Sequence, residues 1–226
     1  MNSDLPGPIP SRARPEWMLP ATRHPRATYR NVIEAVDRVL AAEAIHFAPS
    51  IRRYLYAPPP QNPDARVLDV GCGVGQGCAV LHRFGWRRIV GIDVSPTMDL
   101  SVRRLGIKFQ RCAAERYGPS APFDMITCCD ALEHMASAAT VLGRMRTWLT
   151  PTGILYLTLP IEGEISRNPF HLNAWSKARA HLLLAKQWRL VRDGMHGINE
   201  YWAWLAPKGH LTWWETVKAI GQKENA

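Results

Sequence analysis

Residues 67–77 read VLDVGCGVGQG, an apolar run that passes through an aspartate into a turn with four glycines. A buried strand that leads through a glycine-rich turn into a helix has this pattern. Glycine adopts positive φ easily and leaves room for a ligand beside the backbone amides. The next predicted strand ends at Asp93, 20 residues after Gly73, where a carboxylate can accept hydrogen bonds from both hydroxyls of a ribose. The pattern predicts a nucleotide-like ligand; the alternative is a tight strand–helix turn followed by a helix-capping aspartate.

Around this turn, short apolar runs alternate with helical patterns, which is typical of a parallel sheet covered by helices on both faces. The predicted strands are 66–70, 88–93, 107–111, 123–129 and 153–159, and the predicted helices between them are 77–84, 96–105 and 136–149. After Pro160 we expect a helix at 174–186, strands at 187–192 and 200–206, and a last helix at 210–221. The fold class is therefore α/β, a Rossmann-like doubly wound and mostly parallel sheet with an antiparallel C-terminal end.

The composition divides the chain into four parts. Residues 1–27 contain six prolines and predict an irregular basic arm, and residues 28–60 predict a helical extension that ends in a proline linker. Residues 61–160 are expected to form the ligand-binding core. Residues 161–226 hold six of the nine tryptophans and are expected to complete the sheet and recognise the substrate.

The overall composition excludes several classes of protein. The chain has 226 residues, of which 46% are hydrophobic and 21% charged, as in globular proteins. It has neither an apolar run of about 18 residues nor a signal-peptide pattern, so we expect a cytoplasmic protein with no membrane contact. Five cysteines without a C-x-x-C pair favour core thiols over disulfides or structural zinc. The formal charge of +9 leaves a nucleic-acid partner open, although the scattered basic residues favour solvated helix faces.

Three motifs resemble one family. Asp69, Gly71, Gly73 and Gly75 are similar to the first motif of class I S-adenosylmethionine-dependent methyltransferases, an acidic residue followed by G-x-G-x-G, whereas a dinucleotide fingerprint would need glycine at Gln76. Residues 123–134, FDMITCCDALEH, resemble the fourth-strand motif of the ubiquinone-type O-methyltransferase branch. Residues 149–160 resemble its L-x-P-G-G segment and fifth strand, with Thr152 replacing one glycine. The resemblance covers about residues 65–160.

The resemblance implies S-adenosylmethionine as the cofactor. It places the glycine turn along the methionine moiety and Asp93 on the ribose. The cofactor-binding residues that it implies are Asp69, Gly71, Cys72, Gly73, Gly75, Asp93, Val94, Ala114, Glu115 and Asp130. The family often has Asp-Ala-Glu after the third strand, where this chain has Ala113-Ala114-Glu115. Backbone groups near Ala114 and apolar packing are therefore expected to hold the adenine.

Two histidines are candidates for the general base, because imidazole can accept a proton near neutral pH. His134 follows the fourth strand, and His171 lies in the NPFHL segment after the fifth. The alternative for His134 is a structural role at the start of the following helix. The alternative for His171 is hydrogen bonding to backbone groups of its own loop. The tail tryptophans form either an acceptor pocket or, more simply, core. No set of residues has zinc-ligand spacing, so we predict that no metal is required.

The sequence thus predicts methyl transfer to a small-molecule acceptor, with oxygen favoured and nitrogen possible. A nucleic-acid methyltransferase is the first alternative, but the fourth strand lacks an N/D-P-P-Y/F motif and the chain lacks a Pro-Cys nucleophile. The second alternative is a non-catalytic cofactor-binding subunit that activates a partner. The oligomeric state and the identity of the acceptor are left open by the residues.

Overall fold

A computed structural model describes residues 53–95, 97–166 and 168–216. Within these ranges the strands are β1 Arg66–Val70, β2 Arg88–Asp93, β3 Lys108–Arg111, β4 Phe123–Cys129, β5 Leu149–Pro160, β6 Trp188–His196 and β7 Glu200–Pro207. The helices are α1 Gln76–Arg83, α2 Leu100–Arg103, α3 Ala138–Trp148 and α4 Lys177–Leu184. Single 3₁₀ turns lie at Arg53–Tyr56, Ala114–Arg116 and Leu132–His134.

The strands form one sheet in the order β3-β2-β1-β4-β5-β7-β6. The first five strands of that order are parallel, and β7 lies antiparallel between β5 and β6. The predicted α/β fold, mostly parallel with an antiparallel C-terminal end, is confirmed. Because the chain passes from the edge strand β3 back to β4, the strand order reverses between β1 and β4. Ligands of open α/β sheets bind outside the carboxyl ends of the strands at such a point.

Both faces of the sheet are buried, which explains why the central strands are continuous apolar runs rather than alternating ones. On one face Leu68 packs in a cluster with Val141 and Met145 of α3. On the other face Val67 packs in a cluster with Val80 and Leu81 of α1. The two helices thus fix the sheet from opposite sides and leave its carboxyl edge to the loops.

Several elements differ from the predicted bounds. The predicted helix 96–105 is reduced to α2, because Asp99 caps it by accepting a hydrogen bond from Ser101 N at 2.8 Å and Gly106 at φ +80° ends it. β5 begins at Leu149 rather than 153, since Leu149 pairs with Phe123 directly after α3. β6 extends to His196 rather than 192, because its hairpin with β7 continues to the pair of His196 with Glu200.

The predicted arm, the helical extension as far as residue 52 and the end of the last predicted helix lie outside the described residues. The division of the chain into four parts stays a prediction. Within the described ranges, no helix combines the length and the apolar character that crossing a bilayer requires.

Candidate functional site

The glycine turn, residues 71–75, joins β1 to α1 through three glycines with positive φ. Gly71, Gly73 and Gly75 have φ of 75°, 52° and 95°. A Cβ on Gly71 would lie 2.5 Å from the Cβ of Ala131, so that glycine is needed for close packing. Among the described residues, no atom lies within 4 Å of the position of a Cβ on Gly73. Gly73 therefore faces open space beside the turn, the position where a ligand can approach the backbone.

Asp69 lies beneath the turn and is fully buried. Its carboxylate accepts hydrogen bonds from the hydroxyls of Tyr54 at 2.8 Å and Thr127 at 2.7 Å, and from the thiol of Cys78 at 3.3 Å. Burial raises the pKa of Asp69 to about 6, and the hydrogen bonds oppose that rise. Asp69 thus stabilises the turn from below, and its predicted contact with a cofactor stays a prediction.

Asp93 ends β2 beside the turn. Its Oδ2 accepts a hydrogen bond from Gly73 N at 2.9 Å, and its Oδ1 accepts one from Ser95 N at 2.7 Å. A carboxylate has about four acceptor positions, so both oxygens retain capacity for hydroxyl donors. The side chain is partly exposed. Asp93 therefore orders the glycine turn and still offers acceptors to a diol, as its predicted role requires.

The other residues predicted to bind the cofactor follow β1, β2 and β3. The side chain of Val94 is 64% exposed, an apolar surface at the strand end. Ala114 is buried in the 3₁₀ turn, and Glu115 beside it is half-buried. Cys112 N donates to Asp93 O at 2.9 Å, which holds this turn against the end of β2. Cys72 is buried, with its sulfur 2.7 Å from the position of a Cβ on Gly91. These residues lie at the carboxyl ends of β1, β2 and β3, and their ligand contacts stay predictions.

Asp130, directly after β4, has an unusual backbone, and each oxygen of its carboxylate contacts a partner. Its φ of 43° lies in the left-handed region that residues other than glycine seldom adopt. Thr158 donates to its Oδ1 at 2.7 Å, and Arg53 forms an ion pair with its Oδ2 at 2.6 Å. Arg53 also approaches Glu200 at 3.8 Å. Strained backbone of this kind is found mostly at functional sites.

His134 follows in the next 3₁₀ turn, and its ring orientation identifies its tautomer. Its Nδ1 lies 3.1 Å from the carbonyl oxygen of Phe170, which can only accept, so Nδ1 carries the proton. The Nε2 of the neutral ring consequently bears the lone pair, and it lies 3.9 Å from Glu133 Oε1. Burial lowers the pKa of His134 and keeps the ring neutral. Burial also raises the pKa of Glu133 to about 8, and nearby Asp130 adds to that rise.

The two predicted histidines are brought together, with ring centroids 4.8 Å apart. His171 has both ring nitrogens engaged: Nδ1 lies 2.7 Å from Glu162 Oε2 and Nε2 lies 2.9 Å from Asn168 Nδ2. Asn168 Oδ1 accepts from Phe170 N, which fixes the amide so that its NH₂ group donates to His171. The lone pair of His171 thus accepts a hydrogen bond from Asn168, and His134 Nε2 lies beside Glu133.

Seven side chains now define a carboxylate cluster, named so below: Arg53, Asp130, Glu133, His134, Glu162, His171 and Glu200. Ligand atoms of Glu133, His134 and His171 lie within 4.8 Å of one another, so the three could reach one metal ion. The sequence spacing gave no sign of this group, because its members come from two loops 37 residues apart. The prediction that no metal is required stays a prediction.

The tail tryptophans are mainly core. Trp175, Trp188 and Trp202 are 2%, 2% and 7% exposed. Trp202 stacks on Tyr56, with ring centroids 5.0 Å apart and planes 3° from parallel. The simpler of the two predictions, packing, is confirmed for these three residues.

Glu133 lies within a quoted motif but was not predicted as a site residue, and nothing in the sequence indicated Arg53, Tyr54, Glu162 and Glu200. Each of these four acts on a partner distant in sequence, as with Tyr54 on Asp69. Single charged or aromatic residues outside a motif carry no signal of such pairing.

The fold agrees with the comparisons with known proteins. The model of one family, the methyltransferase domain, matches residues 40–222. The chain belongs to the methyltransferase domain family. This methyltransferase domain is 28% identical over 163 residues to a ubiquinone biosynthesis O-methyltransferase of Colwellia psychrerythraea, covering 67% of this chain and 59% of that enzyme. It is 29% identical over 177 residues to a trans-aconitate 2-methyltransferase of Methylobacterium nodulans, covering 75% and 67%.

A solved methyltransferase structure has the same fold. The crystal structure of Burkholderia thailandensis 1,6-didemethyltoxoflavin-N1-methyltransferase, with bound 1,6-didemethyltoxoflavin and S-adenosylhomocysteine, matches with a TM-score of 0.58 at 20% identity. The match covers 76% of this chain and 88% of that one. Among the ubiquinone enzymes that it resembles, the chain spans 38% to 59% of their length.

Proposed function

We propose that this chain transfers a methyl group from S-adenosylmethionine to a small-molecule acceptor, at an oxygen atom. The observation that carries the proposal is the open space at Gly73 beside the carboxylate of Asp93, in a member of the methyltransferase domain family. A backbone turn without a side chain, next to a carboxylate with unused acceptor positions, suits a ribose-bearing ligand. The ubiquinone biosynthesis O-methyltransferase that is similar to this chain supports an oxygen acceptor.

The residues present fit the cofactor. The glycine turn would lie along its amino-acid portion, Asp93 would accept the ribose hydroxyls, and Val94 with Ala114 would cover the adenine. When bound, S-adenosylmethionine supplies an activated methyl group on a sulfonium, so the protein contributes mainly position and exclusion of water.

His134 is the residue that we propose as the base. An oxygen acceptor loses a proton on methylation, and His134 Nε2 bears a lone pair because Phe170 holds the ring proton on Nδ1. The lowered pKa of His134 favours the neutral form that accepts a proton. His171, with both nitrogens engaged, would position the loop that carries Phe170.

The two other candidate functions have less support. A polyanionic nucleic acid would meet the carboxyl groups of the cluster at the same edge of the sheet, where like charges repel. A non-catalytic subunit would have no need of the neutral histidine at that edge. S-adenosylhomocysteine production by the isolated chain distinguishes an enzyme from an activator.

Binding of S-adenosylhomocysteine measured by calorimetry tests the cofactor assignment. Asp93→Ala should weaken binding by about 1–3 kcal/mol, since hydrogen bonds to a charged group have that value. Asp64→Ala is the matched control, because Asp64 is exposed and only pairs with Arg88 at 3.8 Å. Equal affinity in the two variants would sink the assignment. A screen of hydroxyl and amine acceptors for S-adenosylhomocysteine formation then identifies the acceptor atom.

A further inference from the structure

The carboxylate cluster has a charge opposite to that of the whole chain. The chain carries a formal +9, yet the cluster contains four carboxyl groups, those of Asp130, Glu133, Glu162 and Glu200, and one guanidinium. Arg53 is shared between Asp130 at 2.6 Å and Glu200 at 3.8 Å. The histidines supply no balancing charge as long as they are neutral. Even with Glu133 protonated, the described side chains of the cluster therefore carry more negative than positive charge.

The carboxyl groups of the cluster affect one another. Asp130 and Glu162 both act on Glu133 through space in the unfavourable direction, and Arg53 acts on it in the favourable direction. Arg53, His134 and Glu162 keep about a quarter of their side-chain surface exposed, at 27%, 27% and 23%. The cluster is thus one electrostatic environment with access from outside.

A second observation points to a ligand. Glu133 is 1% exposed, and its Oε2 has no hydrogen-bond partner among the residues that the structure describes. Its other oxygen faces His134 Nε2 at 3.9 Å, and the ligand atoms of His134 and His171 lie within 4.8 Å of this carboxyl group. A buried acceptor without a donor is unfavourable, so an N–H group brought by a ligand would stabilise this position.

We propose that the acceptor carries a positively charged nitrogen, and that the carboxylate cluster binds it with Glu133 Oε2 accepting one of its N–H groups. The inference rests on the proposed methyltransferase function and names the substrate class of the same site. An ammonium group compensates the excess negative charge and supplies the missing donor. A carboxylate or phosphate at the same place would add repulsion and leave Glu133 without a donor.

Three catechols that differ only in the charge of the side chain test the proposal: dopamine, 3,4-dihydroxyphenylethanol and 3,4-dihydroxyphenylacetate. Calorimetry on the full chain saturated with S-adenosylhomocysteine, in the presence of EDTA, measures their affinities. Dopamine should bind at least about tenfold more tightly than the alcohol, and the alcohol more tightly than the acid. Equal affinities, a preference for the acid, or binding of none of the three overturns the proposal. Failure of S-adenosylhomocysteine itself to bind would instead count against the proposed function.

Variants locate the charge preference. Glu133→Gln keeps the shape but cannot ionise beside a bound ammonium group, so it should lower the affinity for dopamine by about tenfold and leave that for the alcohol unchanged. Glu164→Gln, an exposed carboxyl in the same loop as Glu162, should change neither affinity. If Glu133→Gln does not fold, Glu162→Gln replaces it in the same measurement of dopamine and alcohol affinities. Binding of S-adenosylhomocysteine shows that a variant is folded. Dopamine binding that requires added magnesium would assign the cluster to a metal ion and overturn the proposal.

Discussion

The glycine turn is held together by backbone amides, whereas the carboxylate cluster is held together by charged side chains. In the turn, the amides of Gly71 and Cys72 donate to Ile92 O at 2.9 and 3.2 Å, and Gly73 N donates to Asp93. In the cluster, the contacts run between side chains from separate loops and strands. A site formed by backbone amides accepts many different side chains at neighbouring positions, but it is blocked when a side chain enters the open space beside it. A region made of side chains changes its chemistry with every substitution.

The largest effect should come from a side chain placed in that open space. Gly73→Val should abolish detectable S-adenosylhomocysteine binding, because its side chain would occupy the space beside Asp93 and its φ of 52° disfavours a β-branched residue. Gly106→Val is the matched control, since Gly106 has φ 80° and also faces open space, but lies at the turn between α2 and β3. Calorimetry on both variants separates occlusion of the ligand from backbone strain. Equal loss of binding in the two would show that strain alone is responsible.

The next effect concerns the two histidines. His134→Ala should lower turnover by roughly 10²–10⁴-fold and leave cofactor affinity unchanged, if it removes the base. His171→Ala should lower turnover less and reduce the melting temperature, because it removes contacts with Glu162 and Asn168. Stability, affinity and turnover are measured on the same preparations. A greater loss of turnover in His171→Ala would transfer the role of base to that residue.

The third effect is the pH dependence of the stability that Asp69, buried beneath the glycine turn, contributes. The folded-state pKa of Asp69, about 6, lies above its ordinary value of 3.8, so folding favours its protonated form. Its contribution to stability is fully present below pH 3.8 and is lost as the pH rises through about 6. Urea unfolding of the wild type and of Asp69→Asn from pH 4 to 7 should therefore show the variant gaining relative stability by about 2 kcal/mol. Parallel pH profiles would show that Asp69 titrates normally in the folded state.

The smallest expected effect is that of metal chelation on turnover. Saturating EDTA should change turnover by less than about twofold, because displacement from a sulfonium needs no Lewis acid. Glu133, His134 and His171 could together bind a metal ion, so the prediction can be contradicted by experiment. Activity that is lost on chelation and restored by magnesium would make the cluster a metal site.

The glycine turn could be predicted from the sequence because its parts are contiguous. Asp69, Gly71 and Gly73 lie within five residues, and Asp93 follows at the end of the next strand. Strand positions were equally clear, since a buried strand needs a continuous apolar run whatever its partner is. The extension of β6 from residue 192 to His196 was less clear, because Asp193 and His196 are polar and pair by hairpin register rather than by burial.

The carboxylate cluster could be predicted only in part. His134 and His171 were identified by their places after strands, which the topology brings to one edge. Arg53 is 77 residues from its partner Asp130, and Glu162 carries no motif. Which of several equivalent charged residues forms an ion pair depends on loop geometry that no local pattern encodes.

The adjacency of Arg53 and Tyr54 bears on how this protein can evolve. Tyr54 reaches Asp69 beneath the glycine turn, while its neighbour Arg53 reaches Asp130 and Glu200 in the cluster. One short segment, also anchored where Tyr156 donates to Arg53 O and where Trp204 donates to Tyr56 O, thus serves both regions. Mutational libraries that vary Glu133, Glu162 and Glu200 but spare residues 53 and 54 should therefore explore new acceptors without disturbing cofactor use. Libraries that include residues 53 and 54 would change cofactor binding and acceptor preference together, so variants with a new acceptor preference would be harder to detect.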